Sequence, residues 1–301
     1  MALKLRRLSI FTAIFVLLCA AFVPQLYFAC AHTRASALSE DCVAAAFNSQ
    51  LAGESVKITA VMYHSVLKSK SGKYIVSPDT FENDLRIYRY RGYVSVLPSE
   101  IAAYARGEGD LPAKPLLITF DDGHYNNLYY AHALLEKYGM RALISPIGAF
   151  SEHSDSSGDD SNPNYSHLTW AQIGKMASSG VWEVGNHTYN MHAYKPRFGI
   201  ARKAGESDAQ YMQALRDDIG RMHEMLKVKS GVSVKTFAYP FGRYTPQSEK
   251  ALKEMGYEIT LTCNEGKTEV RRGSPGSAFY IKRYNRDGDR SADWLIKKLA
   301  L

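Results

Sequence analysis

The sequence predicts an α/β fold built on a parallel sheet, either open or closed into a barrel. Three observations predict it. From Val56 onward, about seven strand-like runs alternate with helix-like segments, a rhythm that calls for parallel strands joined by helical crossovers. Leu116-Leu117-Ile118-Thr119-Phe120 reads as apolar on both faces, as in a strand covered on both sides. Three clusters of chemically capable residues each follow a strand signal: Asp121-Asp122-Gly123, His187 to His192, and Tyr239-Pro240-Phe241-Gly242. In α/β sheets and barrels, the C-terminal ends of the strands form the functional edge.

The elements follow in order. Lys57 to Tyr63 reads as the first strand, and Pro78 to Arg91 as an amphipathic helix with Phe81, Leu85, Ile87 and Tyr88 among its apolar positions. Pro98-Ser99-Glu100 opens a second helix that runs to Arg106. After the Leu116–Phe120 strand comes a helix from Asn126 to Tyr138, closed by Gly139. Ala142 to Pro146 is the next strand. The polar run 151–164 reads as a surface loop, and its Asp155, Asp159 and Asp160 do not match a calcium-loop spacing. Thr169 caps a helix that ends at Gly180. Strands are expected at Trp182–Gly185, Val234–Tyr239, Tyr257–Thr262 and Phe279–Arg283, and helices at Ser207–Val228, Pro246–Met255 and Asp293–Leu299. The long helix carries Tyr211, Leu215, Ile219, Met222 and Leu226 on one stripe.

The N-terminus differs from the rest. Lys4, Arg6 and Arg7 precede a span from Leu8 to Ala31 without a charged residue. Residues 1–31 are expected to be a secretory signal peptide or a retained membrane anchor with its basic end on the cytoplasmic side. Residues 32–55 read as a linker, and 56–301 as the folded domain, placed at the extracellular face, membrane-anchored or secreted. The formal net charge is +7, and +4 without Lys4, Arg6 and Arg7. That mild excess carries no nucleic-acid signature. Outside the apolar segment there are two cysteines, Cys42 and Cys263. They either pair after export or remain free thiols.

Adjacent carboxylates at a buried strand end repel each other unless a cation relieves them, and a divalent metal lets one bind while the other handles protons. His187 and His192 are five apart. They face apart on a helix and on a straight strand, so they converge only if the chain bends between them. With Asp122 they would form a two-histidine, one-carboxylate set with positions left for water and substrate. In Tyr239-Pro240-Phe241-Gly242, proline fixes the chain and glycine lets a backbone N–H approach a ligand. Such a donor can serve a developing oxyanion. Taken singly, each cluster is also compatible with an ordinary surface turn.

Taken together, Thr119-Phe120-Asp121-Asp122-Gly123, His187-Thr188 with His192, and Tyr239-Pro240-Phe241-Gly242 resemble the motifs of the polysaccharide deacetylases, which share the NodB homology domain of carbohydrate esterase family four. Val61-Met62-Tyr63-His64-Ser65 resembles the opening of many bacterial members, and the likeness runs from about Ile58 to Arg283. It implies a distorted (β/α) barrel of about seven parallel strands. It also implies a divalent metal, with Zn2+ expected and cobalt, nickel, manganese and iron as the other candidates. Carried over by position, Asp122, His187 and His192 resemble the metal ligands and Asp121 the general base. A backbone N–H near Phe241 would hold the oxyanion. The implied substrate is an N-acetylated glycan polymer, either peptidoglycan or poly-N-acetylglucosamine.

The sequence also departs from the family pattern. The late Leu-x-His that supplies an acid is absent: Cys263 follows Leu261 and Thr262. The arginine-bearing third motif is not intact. His64 is the candidate replacement acid, and Arg283 a candidate to orient Asp121 or bind sugar. The other readings are a catalytically impaired glycan-binding barrel, and a related O-deacetylase or amidohydrolase.

Overall fold

The structure is a computed structural model that describes residues 54–299. The apolar N-terminal segment, the expected linker up to residue 53 and Cys42 lie outside the described residues. Within them, no helix is long and apolar enough to cross a membrane.

The fold is α/β with a mostly parallel sheet. Strand β5 (Pro115–Asp122) is its axis. It pairs in parallel with β1 (Ser55–Tyr63) on one side and β6 (Ala142–Pro146) on the other. Leu116, Leu117, Ile118, Thr119 and Phe120 are all fully buried. Each large apolar side chain among them contributes roughly 1.5–3 kcal/mol by leaving water. Strand β7 (Trp182–Val184) extends the sheet beyond β6. Strands β8 (Thr236–Ala238) and β9 (Ile259–Leu261) pair with each other. A single parallel bridge from Asn186 to Phe237 joins β7 to β8, and another from Leu261 to Ile281 carries the path onward from β9. The chain then enters β11 (Tyr284–Asn285), which pairs in parallel with β1. The pairing path therefore returns to its start.

Helices cover this circuit. The first is α1 (Pro78–Tyr90), whose Ser77 side chain accepts the Thr80 N–H. The second is α2 (Pro98–Arg106), where the Glu100 carboxylate accepts the Leu97 N–H. A π-type turn over Asn127–Ala131 leads into α3 (His132–Tyr138). The later helices are α4 (Gly148–Ser157), α5 (Trp170–Ser178), α6 (Asp208–Ser230), α7 (Pro246–Glu254) and α8 (Ala292–Leu299). Thr169 and Gln172 cap α5 reciprocally. The expected stripe of α6, Tyr211 to Leu226, is buried in full.

Three sequence expectations need correction. The run expected as a loop over 151–164 is helical as far as Ser157. Its Ser151 and Ser154 are buried, and polarity alone hid a helix that starts on the apolar Gly148-Ala149-Phe150. The strand expected at Phe279–Arg283 is reduced to the Ile281 bridge, because Tyr280 takes a left-handed conformation at φ 64°. Regular pairing resumes only at Tyr284. Four short strands went unread. They are the parallel pair β2 (Ser65–Val66) and β3 (Ile75–Val76), the edge strand β4 (Val94–Ser95), and β10 (Thr268–Arg271), which runs antiparallel to β1.

Candidate active site

Strand β5 delivers Asp121 and Asp122 to one end of the sheet. Gly123 follows at φ 74°, and a Cβ there would lie 2.6 Å from the Cβ of Pro146. Only glycine fits this turn. Asp122 itself is left-handed at φ 70°, as are Thr188 at 72° and Phe241 at 55°. Non-glycine residues rarely adopt this conformation, and each costs on the order of 1–3 kcal/mol. Three of them at the ends of β5, β7 and β8 show that packing, not local preference, fixes these loops.

The two histidines converge because α6 bends the chain between them. Both carboxylate oxygens of Asp218 on α6 accept backbone N–H groups, from Tyr189 at 2.8 Å and Asn190 at 2.9 Å. Buried Asn186 accepts the Thr188 N–H at 2.8 Å and donates to the Ile219 carbonyl and the Tyr257 hydroxyl. The His187 and His192 rings end 4.8 Å apart. Their Nε2 atoms lie 3.6 and 3.5 Å from Asp122 Oδ1. His187 Nδ1 sits 2.8 Å from the carbonyl oxygen of Ala238. That contact requires the proton on Nδ1, so in the neutral ring the Nε2 lone pair faces Asp122. Burial works to lower the His187 pKa, but Asp121 and Asp122 outweigh it and raise it.

A lone pair and a carboxylate oxygen facing each other without a cation is an arrangement of acceptors only. Asp122 Oδ1 is buried and has no hydrogen-bond partner. One ligand atom each from Asp122, His187 and His192 lies within 4.8 Å of the others. Two imidazoles and one carboxylate form a donor set suited to zinc or its first-row neighbours, so these three residues fit a divalent metal. Burial and the neighbouring His187 push His192 down to about 4, so it is neutral near pH 7.

Asp121 is held differently. It is buried, and Arg283 Nη1 and Nη2 each lie 2.8 Å from one of its carboxylate oxygens. Burial works to raise its pKa, but the guanidinium outweighs this and holds it below the usual carboxylate range. Arg283 is itself fixed by the carbonyl of Thr262 and the hydroxyl of Thr119. It is fully buried and does not line the cavity.

These groups open into a cavity of about 810 Å³, lined among others by His64, Asp121, Asp122, His187, His192 and Phe241. His64 packs its ring 4.7 Å from that of Tyr74, and its Nδ1 is buried without a partner. Burial lowers its pKa. Phe241 stacks on Tyr194 and Phe198 to form an aromatic wall beside His192. Tyr239 is buried beneath, against Tyr244 and Tyr280, and does not line the cavity. Pro240 is buried too. Gly242, at φ 66°, lets the chain pass Cys263, whose Cβ would lie 2.8 Å from an added methyl.

The sequence reading missed His124. Its Nε2 lies 3.7 Å from Asp122 Oδ2, and its ring lies 4.8 Å from that of His167. Its place directly after Asp-Asp-Gly was the available signal. Tyr194 and Phe198 carried no motif and were missed for that reason. Cys263 lies on the cavity wall and has no disulfide partner among the described residues.

The fold is a mostly parallel α/β sheet whose strand ends carry two histidines and a carboxylate that fit a divalent metal, with a second carboxylate clamped by arginine beside them. The family model described as polysaccharide deacetylase matches residues 108–260. The chain belongs to the polysaccharide deacetylase family, the NodB homology domain of carbohydrate esterase family four, and its relatives include N-deacetylases, hydrolases of non-peptide carbon–nitrogen bonds. It is 28% identical over 235 residues to the Bacillus subtilis protein YxkH, covering 74% of this chain and 75% of that one. It is 25% identical over 232 residues to the poly-beta-1,6-N-acetyl-D-glucosamine N-deacetylase of Escherichia coli K12, covering 69% of this chain but 34% of that protein. The chain thus spans about a third of that relative's length. Among solved structures, IcaB from Ammonifex degensii matches with a TM-score of 0.65 at 26% identity, over 81% of this chain and 96% of that one.

Proposed function

We propose that this protein is a metal-dependent N-deacetylase that removes acetyl groups from N-acetylglucosamine-containing polysaccharide, peptidoglycan or poly-N-acetylglucosamine, at the cell surface. One observation carries the reading. Asp121, ionised against Arg283, lines the same cavity as the converging acceptors of Asp122, His187 and His192. The names of the poly-N-acetylglucosamine deacetylase relatives support the substrate class.

Asp122, His187 and His192 hold the metal, with zinc the expected ion and cobalt, nickel, manganese or iron as alternatives. A divalent ion there supplies Lewis acidity, which acidifies water and polarises a carbonyl. Asp121 takes the proton of the attacking water as its oxygen adds to the acetamide carbon. The backbone N–H of Phe241, in its left-handed turn, serves the oxyanion. The carbon–nitrogen bond breaks, His64 delivers a proton to the leaving nitrogen, and acetate and a free amine remain. Because burial lowers its pKa, the cationic form of His64 is a minority species near neutrality and a strong donor when formed. The aromatic wall of Tyr194, Phe198 and Phe241 offers faces for sugar rings. The pairing circuit functions as a distorted barrel that brings these loops to one rim. Residues 1–31 serve as signal or anchor, 32–55 as linker and 56–301 as the catalytic domain.

A second reading, a glycan-binding barrel with impaired chemistry, has one observation in its favour: Cys263 stands on the wall where the family pattern has a histidine. Asp121→Asn separates the two. The deacetylase reading expects the variant to retain its metal and lose acetate release. Equal release by the variant and the parent removes Asp121 as the base.

A further inference from the structure

The cavity has a second chemical feature, on the rim opposite in kind to the histidine cluster. Lys70 and Lys73, from the turn between β2 and β3, line it together with Tyr74. Among the described residues, neither ammonium has a carboxylate within salt-bridge distance. Of the carboxylates that line the cavity, Asp121 is paired with Arg283 and Glu265 with Lys298, while Asp122 lies among the histidines, away from the two lysines in the chain. The cavity therefore carries uncompensated positive charge at one side. A metal at the histidine centre would add to it.

The turn that carries these lysines is fastened down. Gly72 and Ile75 exchange backbone hydrogen bonds, and Gly288 N–H donates to the Gly72 carbonyl at 3.1 Å. Asn285 donates to the Lys73 carbonyl at 2.9 Å, and Ser71 donates to Asp289 at 3.0 Å. Lys73 Nζ lies 5.2 Å above the Tyr74 ring, whose other neighbour is the His64 ring. A turn held this way presents its charges with little further loss of backbone freedom on binding.

We infer that Lys70 and Lys73 form an anion subsite that selects N-acetylated glycans bearing carboxylates on sugar units next to the one being deacetylated. The inference rests on the deacetylase reading for its substrate class. A neutral homopolymer of N-acetylglucosamine offers nothing for two unpaired ammonium groups. A polymer with acid-substituted units offers a carboxylate to two ammonium groups that have none within salt-bridge distance. Lysine suits the task as a mobile point charge that does not demand one geometry.

The test is calorimetric titration of the full-length protein, stripped of metal by chelator so that neither turnover nor the ion contributes. The probes are an N-acetylglucosamine hexamer and the same hexamer with lactyl carboxylates on alternate units. The acidic oligomer is expected to bind about fivefold to tenfold more tightly at low salt. The advantage should shrink to below about twofold near 0.5 M salt. Lys70→Gln with Lys73→Gln should remove most of the preference, and Lys70→Arg with Lys73→Arg should restore it. Equal affinity for the two oligomers, no binding of the acidic one, or a preference that survives the glutamine pair overturns the inference. Acetate release by the metal-loaded protein is scored separately. A charge preference without release from either oligomer sinks the deacetylase reading alone, and release without a preference sinks the subsite alone.

Discussion

Arg283 grips both carboxylate oxygens of Asp121, each at 2.8 Å, from a position that solvent does not reach. The pairing fixes the rotamer of the proposed base and keeps it ionised, while Asp122, one residue on, turns into the histidine cluster. Adjacent aspartates thus acquire different tasks from different partners.

Arg283→Lys keeps a positive charge but loses the two-pronged grip. Asp121 has its pKa lowered by Arg283, so weakening that contact raises it. The acid limb of kcat/KM, which follows Asp121 ionisation, is expected to move to higher pH. The plateau should fall on the order of tenfold to a hundredfold as the base loses its orientation. A pH–rate profile superimposable on the parent's would show that the clamp has no catalytic part.

His64→Ala removes the proposed proton donor without touching the proposed metal ligands. A loss of about 10²- to 10⁴-fold in kcat is expected, with metal content by elemental analysis equal to the parent's. Activity within a factor of two of the parent would return the search for the acid to Cys263 and His124.

Arg286 and Asp84 form a second buried pair, Nε to Oδ2 at 2.7 Å, and Tyr63 donates to the same carboxylate at 3.0 Å. This pair lies in the core and serves stability. Arg286→Met leaves Asp84 buried without a cation and is expected to cost about 3–5 kcal/mol of unfolding free energy at pH 7. Burial already acts to raise Asp84, with Arg286 opposing it. In the variant the carboxyl therefore protonates more readily, and the deficit should shrink as pH falls below neutrality. Urea melts at two pH values measure both, and a deficit that grows on acidification would contradict this account.

Much of this was legible in the sequence because the signals were local. The buried run before Asp121, the cap at Thr169 and the α6 stripe each depend on neighbours in the chain. The convergence of His187 and His192 was not legible, because Asp218, which bends the chain between them, lies far along on α6. Arg283 was readable only as a candidate with two tasks, to orient Asp121 or to bind sugar, and the fold decides for the first. Its grip on Asp121 spans 162 positions and follows no periodicity. The helix at Gly148–Ser157 was misread because serine and aspartate favour turns unless tertiary packing overrides them, as it does at Ser151 and Ser154. The lysines of the β2–β3 turn carry no motif, and only the fold sets them on the cavity wall.

The most direct test of the central claim is acetate release from N-acetylglucosamine oligomers and peptidoglycan by the zinc-loaded, full-length protein, with and without chelator. The account predicts release that stops on chelation, returns when metal is restored, and is lost in Asp122→Ala together with bound metal. Release that continues unchanged in chelator, or no release from either substrate by protein with metal bound at Asp122, His187 and His192, would contradict it.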